Sequence, residues 1–345
     1  MDIRERLELF WSGDRPDRIP YTIYHNEWKH FADDPAWTQM FNDGLGVIYH
    51  LDIVKEKARN VEYSTTSYTE DGRYVERITA KTPVGTIDCV NVNGWCNKYW
   101  LEKPEDYRVM TYIVKNTDME PAFNEFIQKE KEIQPYGAAI CYMARTSFQS
   151  LLVDYTGLEN LSMHLYDYED EVLTLYQALL ERFHKIVEIT AAGPGRYIDV
   201  HENFTAETIG PTRFKKFHIP VYEKYLPILK EAGKVVGAHY DGKLLSCSQL
   251  IENSPLDLIE SLTEPPEGDM YIDECRRILP DKLFWSNINV ARYGLPQNEL
   301  KDIINRMVKQ AAPDGKRLAF EVSEHIPVNW RDSMPVVLDI LNEIR

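Results

Sequence analysis

The feature that most constrains this chain is a regular alternation. Short apolar runs begin near residues 19, 46, 138, 197, 235, 258, 283 and 318, and helix-like segments separate most of them. Strands interleaved with helices pair in parallel, and a parallel sheet needs cover on both faces. Eight such units specify a closed barrel more naturally than an open sheet. No glycine-rich phosphate-binding turn follows any of the runs, which counts against a dinucleotide-binding fold. The expected class is α/β, a (β/α)8 TIM barrel, read as a single domain over residues 1–345. A barrel of this kind takes about 250 residues before insertions, so the length leaves room for one.

The insertion is visible at about residues 60–92. Val61–Tyr68 and Tyr74–Ala80 alternate with period two around Glu70-Asp71-Gly72-Arg73, a hairpin signal. A second turn at Thr82–Thr86 leads to Ile87–Val92. This predicts an antiparallel β-meander set into the barrel. Further on, Leu101–Tyr107 reads as a turn rich in charge and Pro, and Met119–Gln134 as a helix. A long helix is expected over 168–193 and another over Thr212–Ala232, where Phe214, Phe217, Val221, Tyr225 and Leu229 form an apolar stripe.

The charge balance narrows the partners. A net charge of −16 lacks the basic footprint of a nucleic-acid binder and disfavours a bulky polyanionic substrate. No apolar run approaches the roughly 20 residues of a membrane span. Met1-Asp2-Ile3-Arg4-Glu5-Arg6 lacks the apolar core of a signal peptide. The expected location is cytoplasmic. The five cysteines are scattered and form no CxxC pair, so neither a disulfide framework nor a thiolate zinc knot is indicated.

In such barrels the chemistry sits at the C-terminal ends of the strands. Here those ends carry His25 and Asn26, Arg145, His201 and Glu202, His239 and Asp241, Glu264, Asn287 and Asn289, and Glu321, Glu324 and His325. The sharpest of them is Val235-Val236-Gly237-Ala238-His239-Tyr240-Asp241-Gly242, an apolar strand that ends abruptly in a polar cluster. His239 and Asp241 are two apart, so on a strand they share a face. Two chemistries fit. His239, Asp241 and a carboxylate from Glu202, Glu321 or Glu324 present an N/O set suited to zinc, with an open position for a substrate oxygen. Without a metal, the same groups do general acid–base work. The expected catalytic residues are His239, Asp241 and Glu202. The expected metal ligands are His239, Asp241, Glu202 and Glu321. Substrate binding is assigned to His25, Tyr142, Arg145, His201, Asn287 and Asn289.

These residues also carry a resemblance. Arg4-Glu5-Arg6-Leu7 followed by Gly13-Asp14-Arg15-Pro16-Asp17-Arg18-Ile19-Pro20 resembles the N-terminal signature of the uroporphyrinogen decarboxylase-like superfamily. Ile209-Gly210-Pro211-Thr212-Arg213-Phe214-Lys215-Lys216-Phe217-His218-Ile219-Pro220 is similar to its Ile-Ser-Pro-x-x-Phe-x-x-Phe-x-x-Pro pattern, and His239-Tyr240-Asp241-Gly242 to its strand ending in His-x-Cys-Gly or His-x-Asp-Gly. The resemblance spans most of the chain and implies a (β/α)8 barrel. Decarboxylases of the superfamily carry Arg-Gln-Ala-Gly-Arg-Tyr after the first strand. This chain has Tyr24-His25-Asn26-Glu27-Trp28-Lys29-His30 there and lacks those arginines. Its thiol-methylating members are zinc enzymes with Cys where Asp241 stands and another near the last strand, where this chain reads Glu321-Val322-Ser323-Glu324-His325. Harder ligands suit an oxygen substrate. The resemblance therefore implies an O-demethylase component, which moves a methyl group from a methoxylated compound such as a phenyl methyl ether to the Co(I) corrinoid of a partner protein, with zinc polarising the ether oxygen. The alternatives are corrinoid-to-pterin methyl transfer without a metal, served by Asn287 or Asn289, a decarboxylase-like lyase, and a non-enzymatic binding barrel. The oligomeric state is left open, with a homodimer among the options.

Overall fold

The computed structural model describes residues 1–322 and 325–343. Among them, eight parallel strands close into a barrel. They are β1 (Tyr21–Tyr24), β2 (Leu45–Asp52), β3 (Gly137–Met143), β4 (Tyr197–Val200), β5 (Val235–His239), β6 (Leu258–Thr263), β7 (Leu283–Asn287) and β8 (Leu318–Val322). Each pairs with its sequence neighbours, and β1 closes the ring on β8 through Tyr21–Phe320, Thr22–Glu321 and Ile23–Val322. Strands buried on both faces read as continuous apolar runs, which is why all eight were visible in the sequence.

The chain packs as two compact units. The barrel unit comprises Met1–Ile53, Ala122–Met143 and Thr190–Arg345, and the second unit comprises Val54–Pro121 and Ala144–Ile189.

The floor of the barrel is built by the first helix, α1 (Ile3–Trp11). Asp2 caps it: its carboxylate accepts the Glu5 N–H at 2.8 Å while the Glu5 carboxylate accepts the Asp2 N–H at 3.0 Å. Ile3, Leu7, Phe10 and Trp11 form one helical stripe. That stripe packs on the inward residues at the N-terminal ends of the strands, among them Ile48, Ala138, Tyr197, Leu258, Leu283, Trp285 and Ala319. Trp11 stacks on Tyr197 at 5.4 Å, and Phe10 meets Trp285 edge-on at 5.7 Å. The Trp285 indole N–H donates to Thr22 Oγ1 at 3.1 Å, so its one polar atom is satisfied inside the core. Gly46 is required by this contact, because a Cβ there would lie 2.5 Å from the Ile3 side chain. This dry floor leaves the opposite end of the barrel for chemistry.

The second unit holds the expected meander, with one strand more than the sequence suggested. Glu62–Glu70, Arg73–Thr82, Gly85–Val92 and Trp95–Lys98 pair in that order. The hairpin turns at Asp71 and Gly72, which have φ of 49° and 73°, as a two-residue turn of this kind requires. Arg182 forks onto Glu56 through Nε at 2.7 Å and Nη2 at 2.5 Å, and Tyr107 Oη meets His164 Nδ1 at 2.8 Å.

Three local expectations change. The helix read over Met119–Gln134 starts only at Phe123, because Thr117–Pro121 pairs antiparallel with Val54–Ala58. A partner more than fifty residues upstream leaves no trace in local periodicity. The turn read at Leu101–Tyr107 is the start of a helix, Pro104–Lys115, with Pro at its first position. The Asp106 carboxylate there accepts the N–H groups of Glu102 and Lys103 at 3.0 and 3.2 Å. The helix read over Thr212–Ala232 is three pieces: Ala206–Arg213 with a kink at Gly210, a π-turn at Phe214–His218, and Ile219–Glu231.

Candidate active site

Side chains on a strand alternate between faces, and the floor residues fix which face is inward. Continuing the same parity to the C-terminal ends places one polar or aromatic residue per strand at the mouth. These are Tyr24 (β1), His50 (β2), Tyr142 (β3), His201 just past β4, His239 (β5), Glu260 (β6), Asn287 (β7) and Glu321 (β8). The rings follow one another round the wall. Centroid distances are 4.5 Å from Tyr24 to His50, 5.7 Å from His50 to Tyr142, 4.4 Å from Tyr142 to His201, and 5.1 Å from His201 to His239. Asp199 lies one step deeper on β4, fully buried, with an oxygen 4.0 Å from His201 Nδ1.

His239 and Glu260 form the centre of this ring. His239 Nδ1 is hydrogen-bonded to Glu260 Oε2, and the Tyr24 hydroxyl donates to the other Glu260 oxygen. His239 Nε2 lies 3.7 Å from Asp241 Oδ2. Only 5% of His239 and 1% of Glu260 is exposed. Burial alone presses the imidazole toward neutrality, but the Glu260 charge overrides it, assisted by hydrogen bonds to Asp241 and Glu260, and holds His239 protonated well above the usual histidine range. Burial likewise pushes Glu260 up, and the His239 charge and hydrogen bond carry it well below the usual carboxylate range. The pair is an imidazolium–carboxylate with its outward N–H at the mouth.

Glu321 is in the opposite state. Burial and the neighbouring Glu260 charge raise it well above the carboxylate range, so it carries a proton. One oxygen accepts the Ser261 N–H at 2.9 Å. That N–H is available because β6 shifts register between Glu260 and Leu262, with Ser261 at φ 59°. A bulge beside a functional site re-aims groups in this way. The second Glu321 oxygen is buried without a partner.

The expected site residues divide. His239, Asp241, Tyr142, His201, Asn287 and Glu321 belong to the mouth of the barrel. Glu202 lies in a separate buried network: it accepts the Tyr222 hydroxyl at 2.7 Å, and Tyr222 meets the Tyr240 hydroxyl at 2.7 Å. Tyr240 has the outward parity of β5, so this network lies behind the strand. His25 opens the helix His25–Phe31 and packs its ring on Tyr49 at 3.9 Å, where burial lowers it to about 4. Arg145 belongs to the second unit and pairs with Asp154 at 3.0 Å. Asn289 caps a short turn by accepting the Ala291 N–H at 2.8 Å and donates to Glu267. Glu264 is clamped by Arg292 and Arg306 at 2.8 and 2.6 Å. His325 is largely exposed. Glu324 lies outside the described residues.

The sequence reading missed Glu260, Asp199, Tyr24 and His50. Their signal was present: a lone carboxylate within Leu258-Ile259-Glu260-Ser261-Leu262 or Tyr197-Ile198-Asp199-Val200 is out of place in a strand buried on both faces.

For zinc, the His239–Glu260 bond is the carboxylate–histidine pairing that supports a ligating imidazole, and Asp241 lies beside the free nitrogen. A catalytic zinc takes three protein ligands. Glu202 is held by Tyr222 and Glu321 by Ser261, and among the described residues no three His, Cys, Asp or Glu side chains are grouped to hold a metal ion. The four expected ligands are therefore not assembled around one point among the described residues.

No family model matches the chain, and no curated protein matches it in sequence. Solved structures do resemble it. A methyltransferase from Methanosarcina mazei superposes with a TM-score of 0.57 at 10% identity, over 99% of this chain and 99% of that one. A B12-independent methionine synthase from Shewanella sp. W3-18-1, solved in complex with selenomethionine, gives 0.48 at 12% identity, over 92% and 87%. At such identities the first likeness bears on the barrel fold alone, and the second carries no argument. Among the described residues no helix is long and apolar enough to cross a membrane.

Proposed function

We propose that the protein is a methyltransferase that removes the methyl group of a methoxy compound, with His239 as general acid, and delivers it to the Co(I) corrinoid of a partner protein. The observation that carries the reading is the His239–Glu260 pair, which presents a protonated Nε2 at the barrel mouth beside Asp241. The resemblance of His239-Tyr240-Asp241-Gly242 to corrinoid-linked methyltransferases supports the choice of reaction, and the shared barrel is consistent with it.

An ether is inert to demethylation because an alkoxide is a poor leaving group. Protonating the oxygen as the C–O bond breaks removes that obstacle, and a positioned acid contributes about 10²–10⁴-fold. Here the Nε2 proton of His239 moves to the ether oxygen, which leaves as the alcohol or phenol. The reduced corrinoid supplies the electron pair that takes the methyl group. Glu260, an ionised carboxylate on Nδ1, keeps the imidazole in its orientation, and its charge favours uptake of a replacement proton from solvent at Nε2, on the side of Asp241. Tyr142 and His201 flank the reacting group with their rings.

The test is an anaerobic assay with free Co(I) cobalamin and a panel of methoxylated aromatics, following loss of the Co(I) absorbance. Turnover that falls by at least about 10²-fold in His239→Gln supports the reading. Absence of turnover on every methoxy compound, or a wild-type rate in His239→Gln, sinks it. Transfer to a pterin instead of from an ether marks the alternative acceptor chemistry and also overturns it.

A further inference from the structure

We infer a second binding site, at the end of the barrel opposite the mouth, for a small organic anion with an apolar body. It does not depend on the reaction proposed above. The segment Arg15–Ile19 leads into β1, and the end of the helix Gln297–Ala311 with the turn after it leads into β8. Together they line a pocket of about 330 Å³ at the N-terminal end of the seam where β1 closes on β8. Pockets for small ligands start at about 300 Å³. Ile19, Val308 and Ala312 give it an apolar lining. Arg15, Arg18 and Lys309 bring three positive charges to it. Five of the lining residues belong to the Gly13–Pro20 signature, which the chemistry of the mouth does not use.

The charges single this pocket out. The chain has 55 acids and 39 bases, so a base has carboxylates to spare. Arg6 shows the usual outcome: it forks onto Asp17 through Nε at 2.7 Å and Nη2 at 3.2 Å. That fork engages the one acid lining the pocket. Among the described residues, Arg15 and Lys309 have no carboxylate partner. Arg18 donates through Nη1 to the Asp43 carbonyl at 2.7 Å and to the Asn342 side-chain oxygen, both uncharged. Its Nε is buried without a partner. Burial, and then the Arg6 charge, lower Arg18 from the usual arginine range. Gly315, at φ 72°, leaves room for Arg15, because a Cβ there would lie 3.0 Å from its Nε. Unpaired cations in a concave site with apolar walls concentrate a positive potential. A cationic ligand is repelled there. A nucleic acid would meet the net charge of −16 beyond the rim, and inorganic phosphate would leave the apolar lining bare. What fits is a phosphate or carboxylate, which arginine binds through paired hydrogen bonds, joined to a ring-sized apolar body.

The test is calorimetry on the intact protein, without any corrinoid, using phenyl phosphate, benzoate, benzyl alcohol and inorganic phosphate. At least one of the two organic anions is expected to bind tenfold or more tightly than both the neutral alcohol and the ring-free phosphate. Whichever anion binds more tightly identifies the head group. This comparison needs no variant to fold. The His239 imidazolium also attracts anions, so variants assign the site. Arg15→Gln combined with Lys309→Gln, at two exposed positions, should weaken the organic anion at least tenfold, while His239→Gln leaves its affinity unchanged. No binding of either organic anion at millimolar concentration, or equally tight binding of the alcohol or inorganic phosphate, overturns the proposal. An affinity that survives the double variant, or is lost in His239→Gln, does the same. None of these measurements involves methyl transfer, so the inference stands or falls separately from the demethylase reading.

Discussion

The His239–Glu260 pair makes a prediction that can be worked through from the structure. Glu260→Gln keeps the size of the side chain and an oxygen for Tyr24 but removes the charge. His239 is then a buried imidazole whose main counter-charge is gone. Breaking a buried ion pair by removing one partner costs about 3–5 kcal/mol. Asp241, 3.7 Å from Nε2, remains, so the lower end applies, about 3 kcal/mol. For a domain of about 150–250 residues each kcal/mol shifts Tm by about 2–4 °C, so the barrel should melt about 6–12 °C lower. The pH dependence gives a second reading. In the wild type the folded His239 holds its proton above the unfolded value of about 6.5. Between those two values the folded state binds the extra proton, so this group's contribution is complete below about pH 6.5. It falls by about 1.4 kcal/mol per pH unit above that until the folded value is passed. Thermal melts followed by circular dichroism at about pH 6 and about pH 8, with histidine resonances read by NMR, measure both effects. The variant should lose the alkaline decline, and its His239 should be neutral at pH 7. A variant whose melts overlay the wild type at both pH values, or whose His239 stays protonated, refutes the reasoning.

Other expectations follow from single contacts. Tyr24→Phe strips one buried Glu260 oxygen of its donor and should cost about 1–3 kcal/mol by chemical denaturation, an effect that shrinks in the Glu260→Gln background because the two sites share one network. Burial lowers His50 to about 4 and His218 to about 3, so the unfolded chain binds more protons below about pH 6.5. Stability should therefore fall between about pH 6.5 and pH 4, by on the order of 3–5 kcal/mol per histidine at full titration, with His218→Phe flattening that limb of a stability–pH curve. In the second unit Gly157 sits at φ 76° and ψ 162°, a region open essentially to glycine alone, and a Cβ would lie 2.5 Å from the Tyr99 ring. Gly157→Ala should cost at least about 2 kcal/mol and make residues 144–189 more open to hydrogen exchange.

The barrel was legible because parallel strands announce themselves as uninterrupted apolar runs, and each of the eight did. The mouth was legible only in part. His239, Asp241, His201 and Asn287 sit where strands end, and a search of strand ends finds them. Glu260 and Asp199 sit inside strands, where the eye sees Leu, Ile and Val and passes over one acid. The position of Ser261 adds to the difficulty: its bulge changes the parity within β6, so counting by twos from Leu258 fails beyond Glu260. Glu202 was misplaced by the same logic in reverse. It follows His201 directly, so it takes the opposite face, and adjacency in sequence put it with the wrong neighbours. The strand Thr117–Pro121 was illegible because its partner, Val54–Ala58, lies far upstream.

The division of the chain has a consequence for how such a protein can be altered. The second unit is made of Val54–Pro121 and Ala144–Ile189, and the segment between them supplies β3 to the barrel. The two units are braided through the sequence rather than strung along it. Neither is a cassette: a recombination event or an engineer's excision that removes one stretch of the second unit strands the other, and one that removes both must splice twice around a barrel strand. Change in this part of the molecule is therefore confined to substitution and loop length, and inheritance must carry the two units as one indivisible block.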